Sequence, residues 1–129
     1  MVGCATVDRR DWADPQNVLQ IQLDKAGHPG VGIIMKFASP EAAGAYWEAI
    51  TTQLKACPAQ ASDTLPGITQ VSASPGRWVG RRSIDEGLGP QQWAEFIVQR
   101  GDMLRLWLLQ DEGTMSAVQM EQMATGLAG

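Results

Sequence analysis

Hydrophobic positions are densest from Gln91 to Asp111, QQWAEFIVQRGDMLRLWLLQD, and Gly101-Asp102 divides that run. Two apolar segments flanking Gly-Asp predict a tight β-hairpin. With Gly101 and Asp102 as its loop, Arg100 faces Met103 and Phe96 faces Trp107. Side chains alternate across a strand, so Ala94, Phe96, Val98, Arg105, Trp107 and Leu109 share one face. Trp93, Glu95, Ile97, Gln99, Leu104, Leu106 and Leu108 share the other. Both faces are largely apolar, as in central strands covered on both sides, or in a sheet with helices on one face and a partner on the other.

Earlier in the chain, Leu19, Ile21 and Leu23 alternate with Gln20, Gln22 and Asp24, which predicts a strand over Asn17–Lys25 with one wet face. AGHPG (Ala26–Gly30) is a turn, and VGIIMKF (Val31–Phe37) a second strand. Ser39-Pro40-Glu41 starts a helix: Ser caps, Pro suits the first helical position, and Glu complements the positive end. That helix runs to about Ala56, with Ala43, Tyr46, Trp47, Ile50 and Leu54 along one stripe, and Pro58 stops it. Ile68–Ser74 and Trp78–Ile84 are two further strands joined by Ser74-Pro75-Gly76, with Gly80 marking a bulge or a close approach. Thr114 caps a last helix, Met115 to about Leu127, with Ser116, Met120, Met123 and Leu127 on its stripe.

The order is ββ-α-ββββ-α, read as one α+β domain spanning residues 1–129. Its sheet is antiparallel, with about five to six strands, and both helices pack on one face.

A chain of 129 residues buries a real core. The formal net charge of -4 argues against a nucleic-acid partner, because phosphate binding needs clustered Lys and Arg. Arg9-Arg10 and Arg81-Arg82 are the only basic pairs and read as solvated strand ends. No run reaches the length of a spanning helix. Met1-Val2-Gly3-Cys4 has the small-residue–Cys order that follows the hydrophobic region of a bacterial lipoprotein precursor. Membrane contact is therefore expected only through a lipid anchor at Cys4, against the plainer reading of an ordered N-terminal arm.

Cys4 and Cys57 are the two cysteines. In an oxidising compartment they would pair and close a loop of about 50 residues, a stabilisation on the order of 4 kcal/mol. In the cytosol they would be two buried thiols. With one histidine in the chain, no structural zinc site is expected. His28 lies in a turn with Asp24 and Lys25 as its titratable neighbours, a poor setting for acid–base chemistry. Asp85-Glu86 is a weak acidic pair for a metal, the glycines of HPGVG and EGLGP lack phosphate-loop spacing, and no GxSxG is present. Arg100-Gly101-Asp102 spells an integrin-binding tripeptide, yet Gly-Asp is also ordinary turn chemistry. No enzyme activity and no cofactor are expected.

Five tryptophans, at 12, 47, 78, 93 and 107, are many for this length. Trp47 and Trp107 fit core faces, whereas Trp12, Trp78 and Trp93 have less certain burial. Trp78 and Trp93, with Arg82, are the candidate contact residues, on a sheet face away from the helices.

The stretch from Val18 to Cys57 resembles the extracytoplasmic sensor-like domain of actinobacteria, found in PknH-type serine/threonine kinases and related lipoproteins. The features that carry the resemblance are an early Cys followed by Trp, and Phe37-Ala38-Ser39-Pro40 leading into an alanine-rich helix that ends at Cys57. Beyond it come strands, Arg100-Gly101-Asp102 entering an apolar strand, and a final small-residue helix. The second cysteine pair common in that family is absent here. The resemblance implies a non-catalytic sensor or binding module outside the membrane, cell-surface anchored, for a small ligand or protein. The alternative is a structural protein that homodimerises through its apolar sheet face, and a cytoplasmic location stays open with it.

Overall fold

The structure, a computed structural model, describes residues 14–62, 66–85 and 90–128. Its elements are β1 (Asn17–Lys25), β2 (His28–Lys36), α1 (Pro40–Lys55), β3 (Gly67–Ser74), β4 (Arg77–Asp85), β5 (Pro90–Arg100), β6 (Met103–Gln110) and α2 (Ala117–Ala128). The α+β class and the order ββ-α-ββββ-α are as the alternation and helix signals require. All strands join one antiparallel sheet in the order β1-β2-β6-β5-β4-β3. The most apolar pair, β5 and β6, is central, with Phe96 opposite Trp107 and Arg100 opposite Met103. Gly101 has φ 59, and Asp102 keeps a negative φ, the pattern of a type II′ turn.

The first hairpin is tighter than its sequence suggests. Its loop contracts to Ala26-Gly27, with φ 54 and 82, and His28 and Pro29 join β2. Two successive positive φ values make a type I′ turn, whose twist matches that of the strands it joins.

Each helix is held at its start by a side chain. Ser39 Oγ accepts from the Ala42 N–H at 3.1 Å. For α2 the cap is Ser116, not Thr114. Ser116 Oγ accepts from Gln119 N–H at 3.1 Å, and Gln119 Oε1 accepts from Ser116 N–H at 2.8 Å, a reciprocal capping box.

The expectation that both helices share a face is corrected. α1 buries Ala43, Ile50 and Leu54 against Ile68, Trp78, Ile97, Leu104 and Leu106. α2 buries Met120, Ala124 and Leu127 against Val79, Ala94, Phe96, Val98 and Leu109. Phe96 and Ile97 are consecutive in one strand, so the two clusters lie on opposite faces. The reason is the double-sided apolarity of β5 and β6. A helix on one side alone would leave either Phe96 or Ile97 in water, and both are 0 % exposed.

Arginines projecting from the α2 face pin that helix at both ends. Arg81 donates to the Met115 carbonyl at 2.5 Å, and Arg105 donates to the Leu127 carbonyl at 2.9 Å. A cation at a helix C-terminus also complements the negative end of its dipole.

Candidate functional site

Strand register brings Trp78, Arg82 and Trp93 together on the α1 face. Trp78 is opposite Ile97, and Arg82 is opposite Trp93. Two of the three are interior groups. Trp78 is 1 % exposed, its ring lies against Gly80, and its Nε1 donates to Gln70 Oε1 at 3.1 Å. Arg82 is buried and donates twice to Glu95, at 2.5 and 3.1 Å. The reading of Trp78 and Arg82 as an open contact surface is therefore corrected: the face they occupy is the one α1 and the chain after it close over. Trp93 is half-buried, and its Nε1 has no hydrogen-bond partner among the described residues. It borders a cavity of about 170 Å³ that Arg81, Arg82, Gln92 and Asp111 also line.

Asp111 is the organising acid beside that cavity. It accepts from Thr114 N–H and Oγ1 at 2.9 and 2.8 Å and from Met115 N–H at 3.2 Å, and it pairs with Arg81 at 3.1 Å. Burial works against its charge, yet those hydrogen bonds, helped by Arg81, hold its carboxyl below the usual 3.8. With each oxygen engaged, Asp111 folds the β6–α2 turn and Arg81 ties that turn to the sheet. Sequence reasoning missed it, although Asp followed three residues on by Thr is a local turn signal.

The other chemical candidates stand apart. His28 Nδ1 lies 2.9 Å from the Gln110 carbonyl at the end of the first hairpin. Arg100, Gly101 and Asp102 form the β5–β6 turn, where Gln99 Nε2 donates to the Gly101 carbonyl and Phe37 N–H to the Asp102 carbonyl. No group of three or more His, Cys, Asp or Glu is placed to hold a metal among the described residues. Cys57 follows the end of α1, half-buried, whereas Cys4, Trp12 and the Arg9-Arg10 pair lie outside the described residues, as does Glu86. No helix among the described residues is long and apolar enough to cross a membrane.

One surface has no cover among the described residues. A helix is about 10 Å across with its side chains, whereas six strands span about 24 Å. On its face α2 packs on β4 and β5. Register then sets Leu19 beside Ile34, Ile21 beside Gly32 and Trp107, and Leu23 beside Gly30 on the other half of the same face. Leu19 is 57 % exposed, and Ile21, Leu23, Ile34 and Trp107 are half-buried. Gly32 supplies the floor: a Cβ there would meet Leu23, Ile21 and Trp107 at 3.0 to 3.3 Å, so these side chains close over bare backbone. Lys25 arches above, with Nζ 5.1 Å from the Trp107 ring centre.

A groove of about 490 Å³ also runs between β3 and α2. Polar contacts bridge it, since Ser72 Oγ donates to Glu121 and Arg77 lies 3.7 Å from the same carboxylate. No protein-family model and no curated protein matches the chain.

Proposed function

We propose that this protein is a non-catalytic, extracytoplasmic binding module whose working surface is the open β1–β2–β6 half of the α2 face. The observation that carries the reading is the contiguous strip of Leu19, Ile21, Leu23, Ile34 and Trp107, with Leu19 57 % exposed. Scattered surface apolar residues are ordinary, but a joined strip rimmed by Lys25 and Lys36 is the form a contact surface takes. The contact role thus moves away from Trp78 and Arg82, and Trp93 borders a separate cavity.

The test is binding of an apolar fluorescent dye, bis-ANS, at submicromolar protein, by the native chain and by a Leu19→Lys/Ile34→Lys variant. Enhancement with the native chain that the variant loses, at unchanged circular dichroism, supports the reading. No enhancement, or equal enhancement in both, removes it.

The extracytoplasmic placement rests on the resemblance and on Cys4 with Cys57. Non-reducing peptide mapping tests it: a Cys4–Cys57 bridge supports export, and two free thiols favour the cytosol.

A further inference from the structure

We propose that two copies of this chain pair edge to edge through β1, antiparallel and two-fold symmetric about Ile21, joining two six-stranded sheets into one. The proposal deepens the reading above by naming the partner as a second copy, and it rests on that reading for the apolar face.

The two edges of the sheet are treated differently. At β3 the register shifts between Gln70 and Ser72, and the Ile68 N–H is taken by the Pro58 carbonyl of the chain's own loop. A bulge and a covering loop are the usual protections of an exposed edge. β1 has neither among the described residues. It pairs without interruption from Asn17 opposite Lys36 to Lys25 opposite His28, contains no proline, and carries charge only at Asp24 and Lys25.

The hairpin determines which backbone groups β1 offers. In a two-residue I′ hairpin the flanking residues, here Lys25 and His28, exchange hydrogen bonds. Odd-numbered residues of β1 therefore bond to β2. Val18, Gln20, Gln22 and Asp24 turn their N–H and C=O outward, so a pairing strand must set even positions against even positions.

The sequence NVLQIQLDK meets that condition against itself. About a two-fold axis at Ile21, Gln20 falls opposite Gln22 of the other copy, Val18 opposite Asp24, and both pairs present outward backbone groups. Leu19 falls opposite Leu23, and Ile21 opposite its own copy. No like charges meet, since Asp24 faces Val18 and Lys25 faces Asn17. All nine residues of β1 are used; sliding the register by two leaves two residues of each copy unpaired. The Leu19–Ile21–Leu23 strips of both copies then merge on one face, with Trp107 and Ile34 behind them.

Sedimentation velocity of the full chain across about 1 to 300 μM, a span suited to a small interface, reads the association. The native chain is expected to form a concentration-dependent dimer. Gln22→Pro deletes one outward donor per copy, leaves the apolar strip intact, and suits an edge strand. It is expected to weaken the dimer by about tenfold or more while circular dichroism and dye binding stay native. Should that variant misfold, Ile21→Cys gives an independent reading. Opposed residues at the axis lie within disulfide reach, so oxidation should yield a 21–21 crosslink identified by peptide mapping. Asp24→Cys, placed at opposite ends of the paired strands, should not crosslink.

A native chain that stays monomeric throughout overturns the pairing. So does a dimer in which Asp24→Cys crosslinks as readily as Ile21→Cys. A monomer that still binds the dye removes the dimer and leaves the binding surface; a monomer that binds none removes both.

Discussion

Arg82 and Glu95 form a two-armed ion pair, at 2.5 and 3.1 Å, with both side chains out of water. Such a pair stabilises little relative to apolar residues of the same volume, because desolvation of two charges offsets their attraction. Breaking one half is different, since it leaves a charge buried without a partner. Glu95→Leu or Arg82→Met should each lower unfolding free energy by about 3–5 kcal/mol, and the double variant should recover most of that. Urea unfolding of all four proteins checks this, and additive single losses would contradict it.

Asp111 links stability to pH. Its carboxyl titrates below 3.8 in the folded chain, so the unfolded state takes up the proton first as pH falls. The stabilisation is fully present above the unfolded value and is lost as pH drops through the folded one. Asp111→Asn should therefore flatten the acid limb of a stability profile below about pH 4. It should also lower neutral-pH stability by about 1–3 kcal/mol, through the lost partner of Arg81 and the weakened turn. Thermal melts between pH 2.5 and 7 give both numbers.

Ala26 holds φ 54 in the first turn, a left-handed conformation that a β-carbon disfavours. Asparagine tolerates it better and makes the Asn-Gly pair that type I′ hairpins prefer. Ala26→Asn should raise stability by about 0.5–1 kcal/mol with no change in fold, measured by chemical denaturation.

Gly80 and Gly32 each lie beneath a tryptophan, with different tolerances. A Cβ on Gly80 would stand 2.2 Å from Trp78 and 2.8 Å from the Thr69 carbonyl, and Trp78 is buried in the α1 core. On Gly32 it would meet side-chain atoms of the open strip at 3.0 to 3.3 Å. Gly80→Ala should cost about 3 kcal/mol or more, and Gly32→Ala about 1 kcal/mol or less, because only the half-buried side chains of the strip can give way. Similar losses for both would mean that the strip is as rigid as the core.

Removing the α2 cap tests the capping box. Ser116→Ala takes away the acceptor for Gln119 N–H and should cost about 1 kcal/mol. Hydrogen exchange should show fraying confined to the first turn of α2.

Much of the fold was legible locally. Gly101-Asp102 set the register of β5 and β6, since a two-residue loop leaves one pairing, and Ser39-Pro40 set the start of α1. The start of α2 was misjudged by two residues. Thr114 and Ser116 both suit a cap, and the choice fell to Asp111, whose acceptors occupy Thr114 N–H and Oγ1. The candidate site was legible only as parity. Trp78, Gly80 and Arg82 had to share a face, but nothing local told whether that face was wet. A charged residue on a tryptophan-bearing face reads equally as a rim or as half of a buried pair. Glu95, thirteen residues on, resolves it only once β4 and β5 are paired.

What the sequence by itself determined is therefore the set of elements, the Gly101-Asp102 turn and the two-sided apolarity of β5 and β6. These follow from periods of two and 3.6 residues and from glycine, proline and cap chemistry, all of which act within a few residues. The tertiary structure decided which helix took which face, that Arg82 found Glu95, and that no helix among the described residues covers the β1–β2–β6 half of the α2 face. Those outcomes depend on contacts between residues distant in the chain, and on the width of a helix against that of a six-stranded sheet.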